Sequence, residues 1–337
     1  SETVVSILYG NLSAVLLSFI ISLGVLHVSG WCVETFTYTL TVCLASSAIV
    51  RKIERRTDLV FASLMLSLME VVFMFINFVI FNHVISELPK IMIGVAVNGF
   101  LSGILALGLI TPLEVLLNTA SVFRLMDLSD LNTPLMRKML INASGTYNHS
   151  MMVAQLAENA CRQIGANALL ARVASYYHDI GKIEQPEYFV ENQKGENKHD
   201  EINPTLSASV IKSHVRKGVE KARQMHMPEV IIDIIAEHHG TSVISYFYNE
   251  AKNKDASLSP EDFSYPGPLP SSRESAVVML SDTVEAACRT LENPSVSRLE
   301  KFITMLVNGK IEHNQLDDCD LTFRDIAKIK DSFVQML

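Results

Sequence analysis

The sequence predicts an all-α protein, with polytopic transmembrane helices followed by an all-helical bundle expected in the cytoplasm. Four apolar stretches in the first third are each long enough to cross a bilayer, which takes roughly 20 helical residues. From Arg124 onward, apolar residues recur at helical spacing, and no alternating run is long enough for a sheet. The composition changes near residue 120, so residues 1–120 read as the membrane region and 121–337 as the bundle.

The apolar stretches run about Val4–Val28, Trp31–Val50, Leu59–Phe81 and Ile91–Leu117. One cleavable signal segment would not be followed by three further spans. Soluble core helices would keep a polar stripe, whereas Leu59–Phe81 is apolar on every face. Arg51, Lys52, Arg55 and Arg56 crowd the break after the second span, and Arg124, Arg137 and Lys138 follow the fourth. The remaining two breaks carry a single basic residue, Lys90. Cationic loops stay on the cytoplasmic side, which places the N-terminus and the bundle there. Glu70, Asn77 and Asn98 fall inside spans, where hydrogen bonds between helices are expected of them. Gly94, Gly99, Gly103 and Gly108 would let the fourth span approach a neighbour closely. The chain starts almost directly in a span, as an N-terminally trimmed protein would.

Pro112 and Phe123–Pro134 are expected to lead out of the membrane. Beyond them, one stripe comprises Met152, Val153, Leu156, Ala157 and Ala160. A second comprises Leu169, Leu170, Val173, Ala174 and Tyr177, with Gly181 expected as its C-cap. Leu206, Val210 and His214 share a helical face, and Pro228 opens a helix that turns Ile231, Ile234, Ile235 and His238 inward. Ala276, Met279, Leu280 and Val284 form the stripe around Asp282. Glu191–Asn203 and Tyr248–Ser272 read as polar loops, the second long enough to be a mobile lid or a pocket wall.

A net charge of −8 argues against a nucleic acid polymer as partner. The five cysteines, Cys32, Cys43, Cys161, Cys288 and Cys319, contain no CxxC and read as free thiols.

The chemistry is carried by His149, His178, Asp179, His214, His238, His239 and Asp282, a set holding five of the ten histidines. Imidazoles mixed with carboxylates bind divalent transition metals; seven such groups exceed the needs of one ion and suit two. A two-metal pocket on a helical scaffold points to a hydrolase, most often of phosphate esters. Adjacent helical residues point about a quarter-turn apart, so His178-Asp179 can face one ion only where a helix ends. The following Ile180-Gly181 supplies that end, and His238-His239 before Gly240-Thr241 repeats the arrangement. Asp179, with two oxygens, is the natural bridge between ions. His27, His83, His199, His226 and His313 are not assigned to the metals. A single histidine on an apolar face would ordinarily be a core residue; two doublets at helix ends with three further donors are not explained that way.

The order His, His-Asp, His, His-His, Asp resembles the HD phosphohydrolase superfamily. Gly145-Thr-Tyr-Asn-His-Ser150, Ala174-Ser-Tyr-Tyr-His-Asp-Ile-Gly-Lys182, Glu191-Asn-Gln, His238-His-Gly-Thr241, Ser245-Tyr-Phe-Tyr248 and Tyr265-Pro-Gly-Pro268 resemble the seven-transmembrane HD proteins, the PgpH-type cyclic-di-AMP phosphodiesterases of bacteria. The resemblance implies a multi-pass protein of the bacterial cell membrane whose cytoplasmic HD domain hydrolyses cyclic di-AMP to pApA. It implies His149, His178, Asp179 and Asp282 around one metal, and Asp179, His214, His238 and His239 around the other. Iron or manganese is the family's usual occupant. The expected partners are cyclic di-AMP and the lipid bilayer, and a homo-oligomer is compatible with the sequence. Family members carry seven spans and a large extracellular domain, against the four spans found here, so no sensory input is carried over.

Two metals would lower the pKa of a shared water and offset charge on the attacked phosphorus. Lys182 is a candidate catalytic residue on the phosphate, set against a solvated helix-end lysine. Thr241 is a candidate phosphate donor, and Tyr246, Tyr248 and Tyr265 are candidate adenine contacts. Two alternatives stand beside this reading. One is an HD hydrolase of another cyclic dinucleotide or nucleotide; the other is a non-catalytic nucleotide-binding receptor module, which would have a broken ligand set.

Overall fold

The computed structural model describes residues 2–50, 53, 55–82, 85–193, 195 and 197–337. Arg51, Lys52 and His83 lie outside the described residues. The chain divides into two compact units, Ser1–Asp127 and Leu128–Leu337.

In the first unit, α1 (Glu2–Tyr9), α2 (Asn11–Val28), α3 (Val33–Val50), α4 (Arg56–Ile80) and α5 (Leu88–Leu116) pack as neighbours. Helices α2 to α5 are each long and apolar enough to cross a membrane. Their outward faces carry exposed apolar side chains such as Leu12, Phe61, Leu68, Leu105 and Leu116. The sequence treats Val4–Val28 as one span, but the helix breaks at Gly10, whose φ of 87° lies in the left-handed region. Pro112 does not end the fourth apolar helix; α5 runs through it to Leu116 and stops where Asn118 turns to φ 49°.

Polar groups inside these helices bond to neighbouring helices. Asn98 Nδ2 donates to Glu70 Oε2 at 3.3 Å. Asn77 Nδ2 donates to the Glu34 carbonyl and to Thr37 Oγ1, both at 3.2 Å. Of the four α5 glycines named above, two make close contacts: a Cβ on Gly99 would meet Ser67 Cα at 2.7 Å, and one on Gly103 would meet Ser63 Cβ at 2.0 Å. Gly94 and Gly108 face open space.

Helix α6 (Val122–Leu128) precedes the all-helical second unit. That unit comprises α7 (Pro134–Asn142), α8 (Ser144–Ile164), α9 (Ala168–Tyr177), α10 (Pro204–Gln224), α11 (Glu229–Glu237), α12 (Ser245–Lys254), α13 (Arg273–Cys288), α14 (Val296–Glu312) and α15 (Phe323–Met336). An isolated bridge between Val243 and Ser264 is the β-type pairing among the described residues. Caps start the helices: Thr133, Asn167, Asn203, Ser272 and Ser295 each accept the backbone N–H three residues on, and Thr322 with Asp325 forms a capping box.

Helix α13 is the axis of this unit, packing against α8, α9, α11 and α14. Its Ala276, Val277, Val278, Met279, Leu280 and Val284 are buried. Each of the larger side chains contributes about 1.5–3 kcal/mol through burial. Leu206 on α10 is exposed, because that helix turns Ser207, Ala208, His214, Val215 and Gly218 inward. Tyr248–Lys254 is helical and not loop, and the segment after it includes a 3-10 turn, Pro260–Phe263, with Phe263 buried.

Helix α9 ends at Tyr177, with His178 as C-cap, so a 3-10 turn at Ile180–Glu184 follows Asp179. Gly181 is not the C-cap. A Cβ there would lie 1.9 Å from the His214 carbonyl oxygen and 2.7 Å from Gly218 N, so glycine is required for the turn to rest on α10. This close approach brings His178 and Asp179 to His214.

Candidate metal centre

The seven donors come from five elements. His149 lies in the second turn of α8, His178 and Asp179 at the end of α9, His214 within α10, His238 and His239 just past α11, and Asp282 within α13. Six are buried, and His239 is partly exposed.

Asp179 lies between two groups. Its Oδ2 is 3.2 Å from His178 Nε2 and 3.5 Å from His149 Nε2. Its Oδ1 is 3.3 Å from His214 Nε2 and 3.8 Å from His238 Nε2. Asp282 spans the same gap, with Oδ1 3.0 Å from His149 Nε2 and Oδ2 3.6 Å from His239 Nδ1. The donor atoms of His149, His178 and Asp282 lie within 4.8 Å of one another, and so do those of His214, His238 and His239.

The opposite ring nitrogens set the tautomers. His178, His214 and His238 each place Nδ1 on the carbonyl three residues earlier: Ser175 at 2.8 Å, Ile211 at 2.6 Å and Ile235 at 2.7 Å. A carbonyl only accepts, so each Nδ1 carries a proton and each ring turns its Nε2 inward. His214 and His238 face each other Nε2 to Nε2 at 3.3 Å. His178 Nε2 and both Asp179 oxygens are buried without an aligned hydrogen bond. Lone pairs and carboxylate oxygens aimed at common points fit divalent cations, and backbone carbonyls behind the imidazoles are the usual support of such ligands.

His149 is held differently. Its Nδ1 bonds to Glu285 on α13, and Arg289 donates to the same carboxylate. Burial disfavours the His149 cation, but Asp282 and Glu285 outweigh it and raise its pKa to about 9. The carboxylates therefore call for positive charge at this point. Burial lowers the pKa of His238 to about 3, helped by His178, and burial together with His238 holds His239 well below the imidazole range. Burial opposes ionisation of Asp179, yet Lys182 and His178 keep it well below the usual carboxylate range; His149 and His239 do the same for Asp282.

Lys182 is not a solvated helix-end lysine. Its side chain is 12% exposed, and Nζ lies 2.7 Å from Asp179 Oδ2 and 3.0 Å from Glu191 Oε1, above the Phe189 ring. Thr146 in turn donates to Glu191 at 3.1 Å, so the 3-10 turn Val190–Asn192 is tied to α8.

A cavity of about 400 Å³ opens onto these groups, lined by His149, Lys182, His214, His239, Asp282 and Arg289 among others. Tyr265 walls it, stacked on His239 at 4.2 Å between ring centres. The other substrate-contact candidates lie elsewhere. Thr241 and Tyr248 line a second cavity, and Thr241 Oγ1 accepts from Gln315. Tyr246 is exposed and lines a third cavity, which meets the first along Phe189, Val190 and Glu191.

Sequence reasoning missed Glu285 and Arg289 as site groups. The available signal was spacing: Glu285 follows Asp282 by three residues on a buried helix, which puts both on one face.

Residues 146–287 match the HD domain family, and residues 2–121 match the family described as 7TM receptor with intracellular HD hydrolase. The chain is 43% identical over 244 residues to the cyclic-di-AMP phosphodiesterase PgpH of Bacillus subtilis, covering 72% of this chain and 34% of that protein. It is 38% identical over 295 residues to the PgpH of Listeria monocytogenes, covering 87% of this chain and 41% of that protein. The crystal structure of the L. monocytogenes PgpH HD domain in complex with cyclic-di-AMP superposes with a TM-score of 0.60 at 43% identity. That match covers 61% of this chain and 97% of the crystallised one. The chain thus spans about a third to two-fifths of the length of these two full-length relatives.

Proposed function

The chain belongs to the seven-transmembrane HD-domain family of PgpH type, and from that premise we propose that its second unit is a metal-dependent phosphodiesterase hydrolysing cyclic di-AMP to pApA. The observation that carries this reading is the convergence of seven donors, four of them lining one cavity, with Asp179 turning one oxygen toward each group of imidazoles.

His149, His178, Asp179 and Asp282 would hold one divalent ion, and Asp179, His214, His238 and His239 a second, with iron or manganese suited to the mixed nitrogen and oxygen donors. When bound, such a pair supplies Lewis acidity to a phosphodiester and acidifies water. The remaining work falls to the protein. Backbone carbonyls hold three imidazoles as lone-pair donors, and Glu285 holds the fourth. Lys182 keeps Asp179 ionised inside the bundle and presents an ammonium at the cavity wall, within reach of a phosphate oxygen. Arg289 adds a second cation at that wall, suited to the other phosphate of a cyclic dinucleotide. Tyr265 braces the His239 ring. The clustered basic residues after the second and fourth spans support a cytoplasmic position for this unit.

The test is turnover by the full chain in detergent micelles, loaded with manganese or with iron under anaerobic conditions. Cyclic di-AMP and cyclic di-GMP would be supplied separately and products identified by chromatography and mass. Release of pApA from cyclic di-AMP, with cyclic di-GMP cut slowly or not at all, is the expected result. Intact cyclic di-AMP beside a protein that has demonstrably taken up metal would overturn the proposal.

A further inference from the structure

The second cavity, about 740 Å³, opens between the segment following His239 and the C-terminal turns of α14. It shares no lining residue with the metal cavity. Lys310 and His313 are the basic side chains lining it among the described residues, and Lys310 Nζ donates to Ser242 Oγ at 2.7 Å. The carboxylate whose field reaches this ammonium is Asp282, with which it forms no ion pair among the described residues. Burial accordingly pushes the Lys310 pKa below the ordinary lysine range.

A lysine in the last turn of a helix is favoured by the carbonyl end of that helix, and this alone would leave its ammonium in solvent. Here the ammonium turns to a neutral hydroxyl inside a cavity. Beside it stand the Thr241 and Ser242 hydroxyls, held by the buried Gln315 amide, whose oxygen accepts from Thr241 N and Ser242 Oγ and whose nitrogen donates to Thr241 Oγ1 and the His313 carbonyl. On the other walls, Tyr248 and Met305 offer a ring and a polarisable apolar surface. The volume falls in the range of small-molecule sites.

We propose that this cavity is a second ligand site, which takes a small organic oxyanion with its phosphate or carboxylate on Lys310 and Ser242 and its ring against Tyr248. The occupant would replace Ser242 as the main partner of Lys310, in the segment that immediately follows His238 and His239.

The test uses the full chain in micelles with metals removed by chelation, and phenyl phosphate, benzoate and uncharged phenol as probes in titration calorimetry. The phosphate or the carboxylate probe, or both, should bind while phenol does not. Comparing the two charged probes tells which anion the site prefers. Lys310→Met should weaken binding by about tenfold or more, the scale of one charged hydrogen bond, and Lys310→Arg should keep it. Met305→Trp, an exposed position at the cavity mouth, should block binding without touching the core. Val190→Trp, an exposed position lining the metal cavity, should leave it unchanged. Binding abolished by Val190→Trp and indifferent to both Lys310→Met and Met305→Trp would overturn the proposal. So would phenol binding as well as its anions, or no binding of either anion.

Discussion

Lys182 holds its ammonium 2.7 Å from Asp179 Oδ2, and its second contact, 3.0 Å to Glu191 Oε1, ties a surface turn to the central carboxylate of the pocket. All three side chains are nearly inaccessible to water, and the two negative charges share this one ammonium. Removing one partner of such a cluster leaves charge buried and uncompensated.

Lys182→Met is therefore expected to destabilise the metal-free protein by about 3 kcal/mol or more. Metal loading should recover part of the loss, because cations would then face Asp179. Thermal unfolding of both proteins with and without manganese checks this; an unchanged midpoint in the metal-free variant would contradict it.

Asp179→Asn keeps the size of the side chain and removes the charge that faces both groups of imidazoles. Changing an outer-shell partner of a metal typically costs 10–100-fold in affinity or activity, and a carboxylate between two ions should exceed about 100-fold. Metal content after dialysis, measured with turnover, should fall for both ions together. Retention of two ions per chain would refute the bridging role.

Glu285→Gln tests the support behind His149. The amide cannot supply the charge that holds the Nδ1 proton, so affinity at the His149 side should drop by about 10–100-fold. The ion on the His214 side should remain. A metal titration resolved into two steps, with only one displaced, is the expected signature.

Gly181→Ala would push a methyl against the His214 carbonyl, 1.9 Å from its oxygen. Overpacking of this kind costs about 1–3 kcal/mol, and here it also separates Asp179 from His214. Reduced stability together with lost metal is expected; Gly165→Ala, whose Cβ would meet open space, is the control for a glycine position where only backbone strain is added.

The pH dependence of the metal-free chain follows from the histidines. His149 has its pKa raised from 6.5 to about 9, so its contribution is complete below pH 6.5 and is lost as pH rises through about 9. His238 is depressed to about 3, so stability falls as pH drops below 6.5 toward that value. The unfolding midpoint should therefore peak near pH 6–7 (about the ordinary imidazole pKa) and decline toward pH 9. Metal replaces the His149 proton, so loading should flatten the alkaline decline and release about one proton per chain near pH 7.

The helical class, the four long apolar helices and the seven donors were legible in the sequence because each leaves a local trace. A span is a length of apolar residues, a helix is a period, and a ligand doublet before glycine is a helix end. The break at Gly10 and the unbroken run of α5 through Pro112 were not legible, since both depend on whether neighbours tolerate a bend or a missing N–H. The helix Ser245–Lys254 was hidden by its polarity, because it buries Phe247 and Ala251 alone among its described residues. Thr241 and Tyr248 stand close in sequence to His239, but the turn at Gly240, with φ 53°, sends the chain into another cavity.

By itself, the sequence determined which chemical groups this protein owns and which of them end a helix, since those facts depend on neighbours a few positions apart. Only the tertiary structure decided which oxygen of Asp179 meets which imidazole, that Glu285 supports His149, and that Lys182 is buried between two carboxylates. Those pairings join residues up to 136 positions apart, as in His149 and Glu285. They arise where α8, α9, α10, α11 and α13 bring their donors together, and no period along the chain encodes the direction of a side chain across such a gap.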